Sequence, residues 1–345
     1  MFLASAIPGC SKAGGEKQTD SDNGAQSERR DKSAAEAATS AGAQADDTSG
    51  TATAGKAPAS LPVPEVDPDA PTVDEKHPGL ASAALVHARL AELPDGVLLR
   101  AADVAIRQKD IEAEVAQAPA ELREQLRKNA FFLLEQMATQ KLLAQLAPQD
   151  GASPAGGEQA MLQGYFQTLV KDAQVSDREI AEFYEQNKGT IGGAKLEQVK
   201  EQIKQYLLQQ KQHQIVDQHI QTLARRTPVA VSAEWVKTQA KLARDNPVDK
   251  ARASGIPTFA NFGAEGCAPC DMMAPMREAI RKEYEANLNV VFVHVREQRI
   301  LASRYGVRGI PLLIFFDADG KEVARHTGYM ERQKVEEKLA ELGVN

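Results

Sequence analysis

The sequence predicts two folded domains in series, an all-α domain and then an α/β domain whose central mixed sheet is flanked by helices. Three observations lead to this fold class. Residues 84–228 place apolar side chains at helical spacing, and residues 251–345 alternate short β-prone runs with helix-compatible stretches. Residues 11–83 are rich in Ala, Gly, Ser and Pro, which predicts a disordered tether in front of the folded part.

The composition restricts the classes of function open to this chain. Its 345 residues carry a net charge of −7, so we expect no binding of nucleic acid. No apolar run approaches the roughly 18 residues that a membrane-spanning helix requires. Three cysteines are too few for a disulfide-stapled scaffold, and we expect no cofactor.

Residues 1–10 are interpreted as the end of an export signal. Met1–Ile7 is apolar, and the motif Ile7-Pro8-Gly9-Cys10 resembles the lipoprotein box of exported bacterial proteins. The resemblance implies a lipid on Cys10 and a location in the periplasm or cell envelope. No basic residue precedes the apolar stretch, so we expect the natural start to lie upstream. The alternative is an ordinary cysteine in a disordered tail.

The predicted all-α domain contains two long amphipathic stretches. Apolar residues recur at three-and-four spacing from Leu122 to Leu143 and again from Leu196 to Leu223. The sequence Ser176-Asp177-Arg178-Glu179 is a capping box, which predicts a helix that begins after Ser176. Residues 229–250 are predicted to form a helical connector to the second domain.

This domain resembles the N-terminal helical domain of SurA-like periplasmic foldases. The matching pieces are Val97–Arg100, Ile106–Ile111, Leu122-Arg123, Lys141–Leu143, Val175–Ile180 with Phe183-Tyr184, and Glu197–Ile203. In those proteins a prolyl isomerase domain usually separates the last two pieces, whereas residues 187–194 join them directly here. The resemblance implies a surface for unfolded or exported polypeptides without isomerase activity. A dimerisation module and a structural spacer remain alternatives.

The α/β domain is predicted in the order strand, helix, strand, helix, hairpin, helix. The strands are residues 256–262, 290–295, 312–316 and 322–327, and the helices begin at Cys267, Gln298 and Met330. The turn Asp317-Ala318-Asp319-Gly320 closes the hairpin. Pro275 predicts a kink in the first helix.

This order and two motifs resemble the thioredoxin family. Phe262–Cys270 followed by Met273-Ala274-Pro275 resembles the active-site strand, loop and helix, and Tyr305–Pro311 resembles the segment that carries a cis-proline. Gly328 lies where the family has a glycine before its last helix. The resemblance implies that Ile310 and Pro311 bind the substrate peptide and that protein thiols and disulfides are the partners.

Elementary chemistry also favours thiol–disulfide exchange at the Cys267-Ala268-Pro269-Cys270 motif. A cysteine at the start of a helix faces the positive end of the helix dipole, which favours the thiolate of Cys267 as the nucleophile. Cys270, one turn later, can attack a mixed disulfide and resolve it. The alternative use is half of a zinc site, but no second Cys/His pair accompanies the motif, so we expect no metal.

Three departures from the family pattern bear on rate and redox direction. Asn261 occupies the proton-relay position, where the family has a buried aspartate, and Phe292 aligns with the aspartate's lysine partner. Gly266 replaces the tryptophan that usually precedes the first cysteine. Because Asn261 cannot ionise, we expect slow deprotonation of Cys270 and a faster turnover in an Asn261→Asp variant.

Two functions from different classes follow from the sequence. The first is an exported thiol–disulfide oxidoreductase whose helical domain binds substrates or partners. The Ala268-Pro269 dipeptide is similar to the Gly-Pro of reducing members, and a reductase outside the cytosol needs a membrane electron-transfer partner. The second is a periplasmic chaperone or assembly module in which the cysteine pair has little catalytic turnover.

Overall fold

The computed structural model describes residues 66–189, 191 and 193–344, all of which belong to one compact unit. The predicted tether and the lipidation candidate Cys10 lie outside the described residues. The described chain forms a mainly helical region and then an α/β region, in the predicted order. None of its helices combines the length and the apolar character that crossing a lipid bilayer demands.

The first region consists mostly of helices. These are α1 (Val73–Lys76), α2 (Gln108–Gln117), α3 (Ala120–Lys128), α4 (Ala130–Leu146), α5 (Glu158–Val170), α6 (Asp177–Gln186), α7 (Leu196–Arg226), α8 (Ala233–Ala243) and α9 (Pro247–Arg252). The predicted capping box is confirmed at α6, since Ser176 Oγ accepts a hydrogen bond from Glu179 N at 3.3 Å. The Glu179 carboxylate accepts from Ser176 N at 2.8 Å in return.

The prediction that this region is all-α is wrong. It contains a four-stranded sheet built from β1 (Arg89–Ala91), β2 (Val97–Ala101), β3 (Val104–Arg107) and β4 (Ala230–Ser232), in the order β1-β4-β2-β3. The strands are three to five residues long, too short for their alternation to stand out. Strand β4 pairs with β1 and β2 from a distant part of the sequence and lies in the predicted helical connector.

A buried glutamate ties the start of this region to its core. Glu135 on α4 is fully buried, and its carboxylate accepts hydrogen bonds from the backbone N–H groups of Ser82, Ala83 and Leu85 at 2.9 to 3.2 Å. Burial raises the pKa of the Glu135 carboxyl above its ordinary value of 4.5. Nothing in the local sequence distinguishes Glu135 from a solvated helix residue, so sequence reasoning missed it.

The α/β region confirms the predicted order of elements. It consists of β5 (Thr258–Gly263), α10 (Ala268–Glu283), β6 (Asn289–His294), α11 (Arg299–Arg304), β7 (Leu312–Phe316), β8 (Glu322–Thr327) and α12 (Arg332–Glu341). The sheet order is β6-β5-β7-β8, in which β5 pairs parallel with β6 and antiparallel with β7. Apolar clusters cover both faces of the sheet, with Phe262 in one and Phe259 in the other.

Buried ionic contacts join the two regions. The Asp249 carboxylate on α9 accepts hydrogen bonds from Tyr305 Oη and lies 2.8 Å from Arg304 Nη1. Arg304 Nη1 also donates to the carbonyl oxygen of Ala243, at the end of α8, at 2.9 Å. Ile300 on α11 belongs to the hydrophobic core of the helical region. The α/β region is therefore fixed to α8 and α9 by buried groups.

Candidate active site at the cysteine pair

The two cysteines lie at the start of α10, as the sequence predicts. Cys267 is the N-cap residue, its carbonyl oxygen accepts a hydrogen bond from Asp271 N at 2.9 Å, and Ala268 and Pro269 open the helix. Cys267 and Cys270 form a disulfide with Cα atoms 5.2 Å apart. The chain enters the helix through Gly266 at a φ of +74°, a conformation that costs a tryptophan more than a glycine.

The segment before β7 meets the cysteine pair through its backbone. The Ile310–Pro311 peptide bond is cis, and Cys267 Sγ lies 3.8 Å from the carbonyl oxygen of Ile310. Gly328 N donates a hydrogen bond of 2.8 Å to the carbonyl oxygen of Pro311, which links this segment to the end of β8. The structure thus brings together the cysteines, Ile310, Pro311 and Gly328, which are far apart in the sequence.

Gly263 permits the close approach of the strand to the second cysteine. A Cβ atom at residue 263 would lie 3.4 Å from Cys270 Sγ and 3.1 Å from the Phe292 ring. Larger side chains would collide with one or both groups, so glycine suits this close packing. Cys267 and Cys270 are only 3% and 5% exposed.

Asn261 lies on β5 under the same helix and has an unexpected partner. It is 1% exposed, and its Oδ1 accepts a hydrogen bond of 2.9 Å from Arg277 Nη1. The Arg277 guanidinium carbon lies 4.1 Å from the centre of the Phe292 ring, and Phe292 is the register partner of Asn261 on β6. Burial lowers the pKa of the Arg277 guanidinium.

Sequence reasoning named Asn261 and Phe292 but missed Arg277. A signal was available in the spacing along α10. The buried residues of this helix are Cys270, Met273 and Ile280, and Arg277 falls on the same stripe at helical spacing. An arginine among the inward positions of an amphipathic helix predicts a buried partner for its charge.

Among the described residues near the sheet, the remaining titratable groups do not form a metal site. Within the described residues, no three His, Cys, Asp or Glu side chains gather closely enough to hold an ion. His294 lies on β6 with its ring centre 6.5 Å from that of Phe292. His326 Nε2 is 3.2 Å from the carbonyl oxygen of Tyr329, and burial lowers its pKa.

Helices α6 and α7, which we call the arm, reach the segment that carries the cis-proline. Arg308 Nη2 lies 2.8 Å from Asp217 Oδ1 on α7, and both side chains are about half exposed at 47% and 46%. A Cβ atom at Gly328 would lie 3.8 Å from Asn187 Oδ1, at the end of α6. The arm therefore contacts the cis-proline segment through the Asp217–Arg308 pair, and Asn187 lies near Gly328.

Comparisons with known proteins match the second region. Residues 245–343 match the family described as thioredoxin-like domain. The chain is 33% identical to the thioredoxin of Porphyra purpurea over 84 residues, which cover 24% of this chain and 78% of that protein. It is 33% identical to the thioredoxin of Pseudomonas aeruginosa over 87 residues, which cover 25% and 79% of the two chains.

A third similar protein is also a thioredoxin. The chain is 41% identical to thioredoxin 1 of Chlorobaculum tepidum over 68 residues, which cover 20% of this chain and 67% of that protein. The residues that match the family contain α9 and all of the α/β region up to Gly343. The SurA-like interpretation of the helical region stays a prediction.

Proposed function

Because the chain belongs to the thioredoxin family through residues 245–343, we propose that its Cys267–Cys270 pair exchanges electrons with the thiols and disulfides of protein substrates. One observation carries this proposal. Cys267, at the N-cap of α10, has its sulfur 3.8 Å from the Ile310 carbonyl oxygen beside the cis-proline Pro311. A substrate peptide that pairs with the Ile310 backbone would bring its own sulfur to Cys267.

The proposed reaction is a two-step exchange. The Cys267 thiolate attacks one sulfur of a substrate disulfide, which forms a mixed disulfide and releases the other substrate sulfur as a thiolate that takes up a proton. The Cys270 thiolate then attacks the Cys267 sulfur and releases the second substrate thiol. The substrate gains two electrons and two protons, and the pair becomes the Cys267–Cys270 disulfide. The reverse sequence oxidises a substrate dithiol.

We favour the reducing direction and a site of action outside the cytosol. The Ala268-Pro269 dipeptide is similar to the Gly-Pro of reducing members of the family. In an oxidising compartment a reductase must be reduced again after each cycle, so a membrane electron-transfer partner would supply the two electrons.

The arm supports a role for the helical region in binding protein substrates or partners. It contacts the cis-proline segment through Asp217 and Arg308, and Asn187 lies near Gly328 in the loop after β8. A polypeptide bound along α7 would therefore lie close to Pro311. On this proposal the helical region holds unfolded or exported chains while their disulfides are exchanged.

The Cys267→Ser variant tests the redox proposal. Reduction of insulin with dithiothreitol as the electron source and protection of a heat-denatured protein against aggregation would be measured on the full chain. We expect reduction to fall to the uncatalysed rate while protection is retained. The matched control is Cys10→Ser, a cysteine change outside the pair, which should reduce insulin at the wild-type rate. If Cys267→Ser reduced insulin at the wild-type rate, the proposal would be refuted.

A second candidate is a chaperone or assembly module whose cysteine pair turns over little. The burial of Cys267 and Cys270, only 3% and 5% exposed, favours it because a substrate disulfide must reach a sulfur to react. On this alternative wild-type reduction of insulin is already close to the uncatalysed rate, and Cys267→Ser changes neither assay.

The proposed location rests on the motif that ends at Cys10. When the gene is expressed from its native locus, Cys10→Ser is expected to move the protein from the membrane fraction to the soluble fraction. Ser11→Ala, the neighbouring control, should stay on the membrane. A wild-type protein found in the soluble fraction, or a Cys10→Ser protein that stays on the membrane, would refute the lipid anchor.

A further inference from the structure

Arg277 brings a positive charge into the interior next to the redox pair. Its side chain is 13% exposed, is held by Asn261 Oδ1 at 2.9 Å and packs on the Phe292 ring at 4.1 Å. The neighbouring carboxylate is that of Glu278, 3.9 Å from Arg277 Nε and half exposed. Arginine keeps its charge under such burial.

The charge is close to Cys270 through a continuous set of contacts. The Phe292 ring packs against the guanidinium and also approaches Gly263, where a Cβ atom would lie 3.4 Å from Cys270 Sγ. Asn261 and Gly263 are alternate residues of β5 and share one face of the sheet. Together these contacts place the guanidinium on the order of 10 Å from the sulfur, given the spacing of alternate strand residues.

The other charged and titratable groups around Arg277 and Cys270 do not neutralise this cation in the interior. They are Asp271 and Glu278 on α10, Glu265 before it, and His294 with its partner Glu297 at the end of β6. Among the described residues, each of these carboxylates is exposed and solvated, whereas the guanidinium is largely buried. Because the nearest carboxylate is solvated and the guanidinium is largely buried, the cation still favours a nearby thiolate over the thiol.

Asn261 offers a second favourable group on the same face. Its Nδ2 atom is buried and has no hydrogen-bond partner in the part of the chain that the structure describes. The orientation of the amide is fixed by the bond from Arg277 Nη1 to Oδ1, because a flipped amide would set two donors against each other. The face of β5 that carries Asn261 and Gly263 therefore holds a cation and a free donor, both of which suit an anion.

We propose that Arg277 is a positioning residue for the redox reaction, whose guanidinium stabilises the Cys270 thiolate that forms when the disulfide is reduced. The inference rests on the proposed function. In the reduction by glutathione, two glutathione thiols lose two electrons and join as one disulfide, and the protein disulfide becomes two thiols, of which Cys270 releases its proton to water. By favouring that thiolate, Arg277 compensates for the proton acceptor that Asn261 cannot provide.

The test compares the full chain with three variants. Arg277→Met removes the charge and keeps an unbranched side chain against Phe292, and Arg277→Lys keeps the charge. Arg281→Met is the matched control, one turn further along α10, where Arg281 is 55% exposed and pairs with Glu278. Two quantities are measured by acid quench and mass spectrometry, the equilibrium constant with glutathione and the pH midpoint of mixed-disulfide resolution.

We expect Arg277→Met to shift the glutathione equilibrium about tenfold toward the disulfide, which is about 30 mV in reduction potential. The pH midpoint of resolution should rise by about one unit. Arg277→Lys should stay within about threefold of the wild type, and Arg281→Met should match it. If Arg277→Met does not fold, Arg277→Gln removes the charge at similar length.

Two outcomes would overturn the inference. In the first, the charge-removing variant has the wild-type equilibrium and the wild-type pH midpoint. In the second, Arg281→Met shifts both quantities as much as Arg277→Met, which would make the effect a general property of helix charge. Failure of the proposed function is a separate result, because a wild type that does not reduce insulin still has a measurable equilibrium with glutathione.

Discussion

The Oδ1 atom of Asn261 accepts a hydrogen bond of 2.9 Å from Arg277 Nη1, at the position where the thioredoxin resemblance places a buried carboxylate. The sequence alone leads to the expectation that Asn261→Asp restores a proton acceptor and speeds turnover. The structure changes that expectation, because a carboxylate at residue 261 would face the Arg277 guanidinium. An adjacent cation lowers the pKa of a carboxyl group and makes it a poorer base.

The Asn261→Asp variant should therefore gain little in the Arg277 background. We expect the rate of mixed-disulfide resolution at pH 7 to rise by less than about twofold. In the double variant with Arg277→Met, this rate should be about tenfold above that of Arg277→Met alone. Rates are measured by quenching the mixed disulfide in acid at timed intervals. A tenfold gain in Asn261→Asp by itself would show that the guanidinium does not control this position.

The contact between the arm and the cis-proline segment gives a prediction about substrate size. The Asp217–Arg308 pair is about half exposed, so Asp217→Asn should change the unfolding free energy by less than about 0.5 kcal/mol. If the arm positions protein substrates, the KM for a protein disulfide should rise several-fold while the rate with oxidised glutathione stays unchanged.

The control for this experiment is an ion pair that stays within the arm. Asp177 on α6 lies 2.8 Å from Lys200 on α7, and both side chains are well exposed. Asp177→Asn should leave the KM for the protein disulfide and the rate with oxidised glutathione at their wild-type values. If Asp217→Asn slows the reduction of the protein disulfide and of oxidised glutathione to the same extent, the arm does not select substrates by size.

The α/β region and the start of α6 could be predicted from sequence because their signals are local. Each strand run is short and bounded by turn residues, as at Asp317–Gly320, and the capping box at Ser176 is complete within four residues. The structure places the cis-proline segment beside Cys267, although the two motifs are about 40 residues apart in the sequence.

The features that escaped prediction depend on pairings between distant residues. Strand β4 joins the first sheet more than a hundred residues after β2 and β3, and local periodicity carries no information about that pairing. Arg277 acquires its role only when α10 packs on β5 and β6. Glu135 likewise looks like a solvated residue of α4 until Ser82–Leu85 folds over it.

Glu135 gives a prediction about stability. A glutamine side chain at residue 135 would turn an NH2 group toward the backbone donors of Ser82, Ala83 and Leu85, so Glu135→Gln should lower the unfolding free energy by about 1–3 kcal/mol. Urea unfolding measures the change. The control is Glu182→Gln on α6, an exposed carboxylate paired with Arg178, which should unfold like the wild type. An unchanged Glu135→Gln protein would contradict the assigned contacts.

The same residue predicts a pH dependence. Burial raises the pKa of Glu135 in the folded chain above the ordinary value of 4.5, so the folded state holds this proton more tightly than the unfolded state does. Its contribution to stability is complete below about pH 4.5 and is lost as the pH rises through the folded pKa. As the pH rises through the folded pKa, the wild type should therefore lose stability relative to the Glu135→Gln variant. A constant difference between the two proteins from pH 4 to 8 would show that the pKa is not raised.

The junction between the two regions gives the largest predicted effect. The Asp249 side chain is 7% exposed, and its carboxylate faces Arg304 at 2.8 Å and Arg252 at 3.2 Å, while Tyr305 Oη donates to it at 2.8 Å. Burial and the Asp249 charge raise the pKa of Tyr305, so the phenol stays a donor. Asp249→Asn would leave two largely buried guanidinium groups facing a neutral amide.

We therefore expect Asp249→Asn to lower the unfolding free energy by about 3–5 kcal/mol, the usual loss when one partner of a buried ion pair is removed. Urea unfolding followed by circular dichroism measures it. Asp245→Asn, at an exposed aspartate paired with Lys250 just before α9, is the matched control and should unfold near the wild-type midpoint. Because Arg304 also bonds the Ala243 carbonyl at the end of α8, the loss should reach the helical region and the α/β region together. Separate transitions for the two regions in the wild type, with Asp249→Asn shifting neither, would show that the buried pair does not join them.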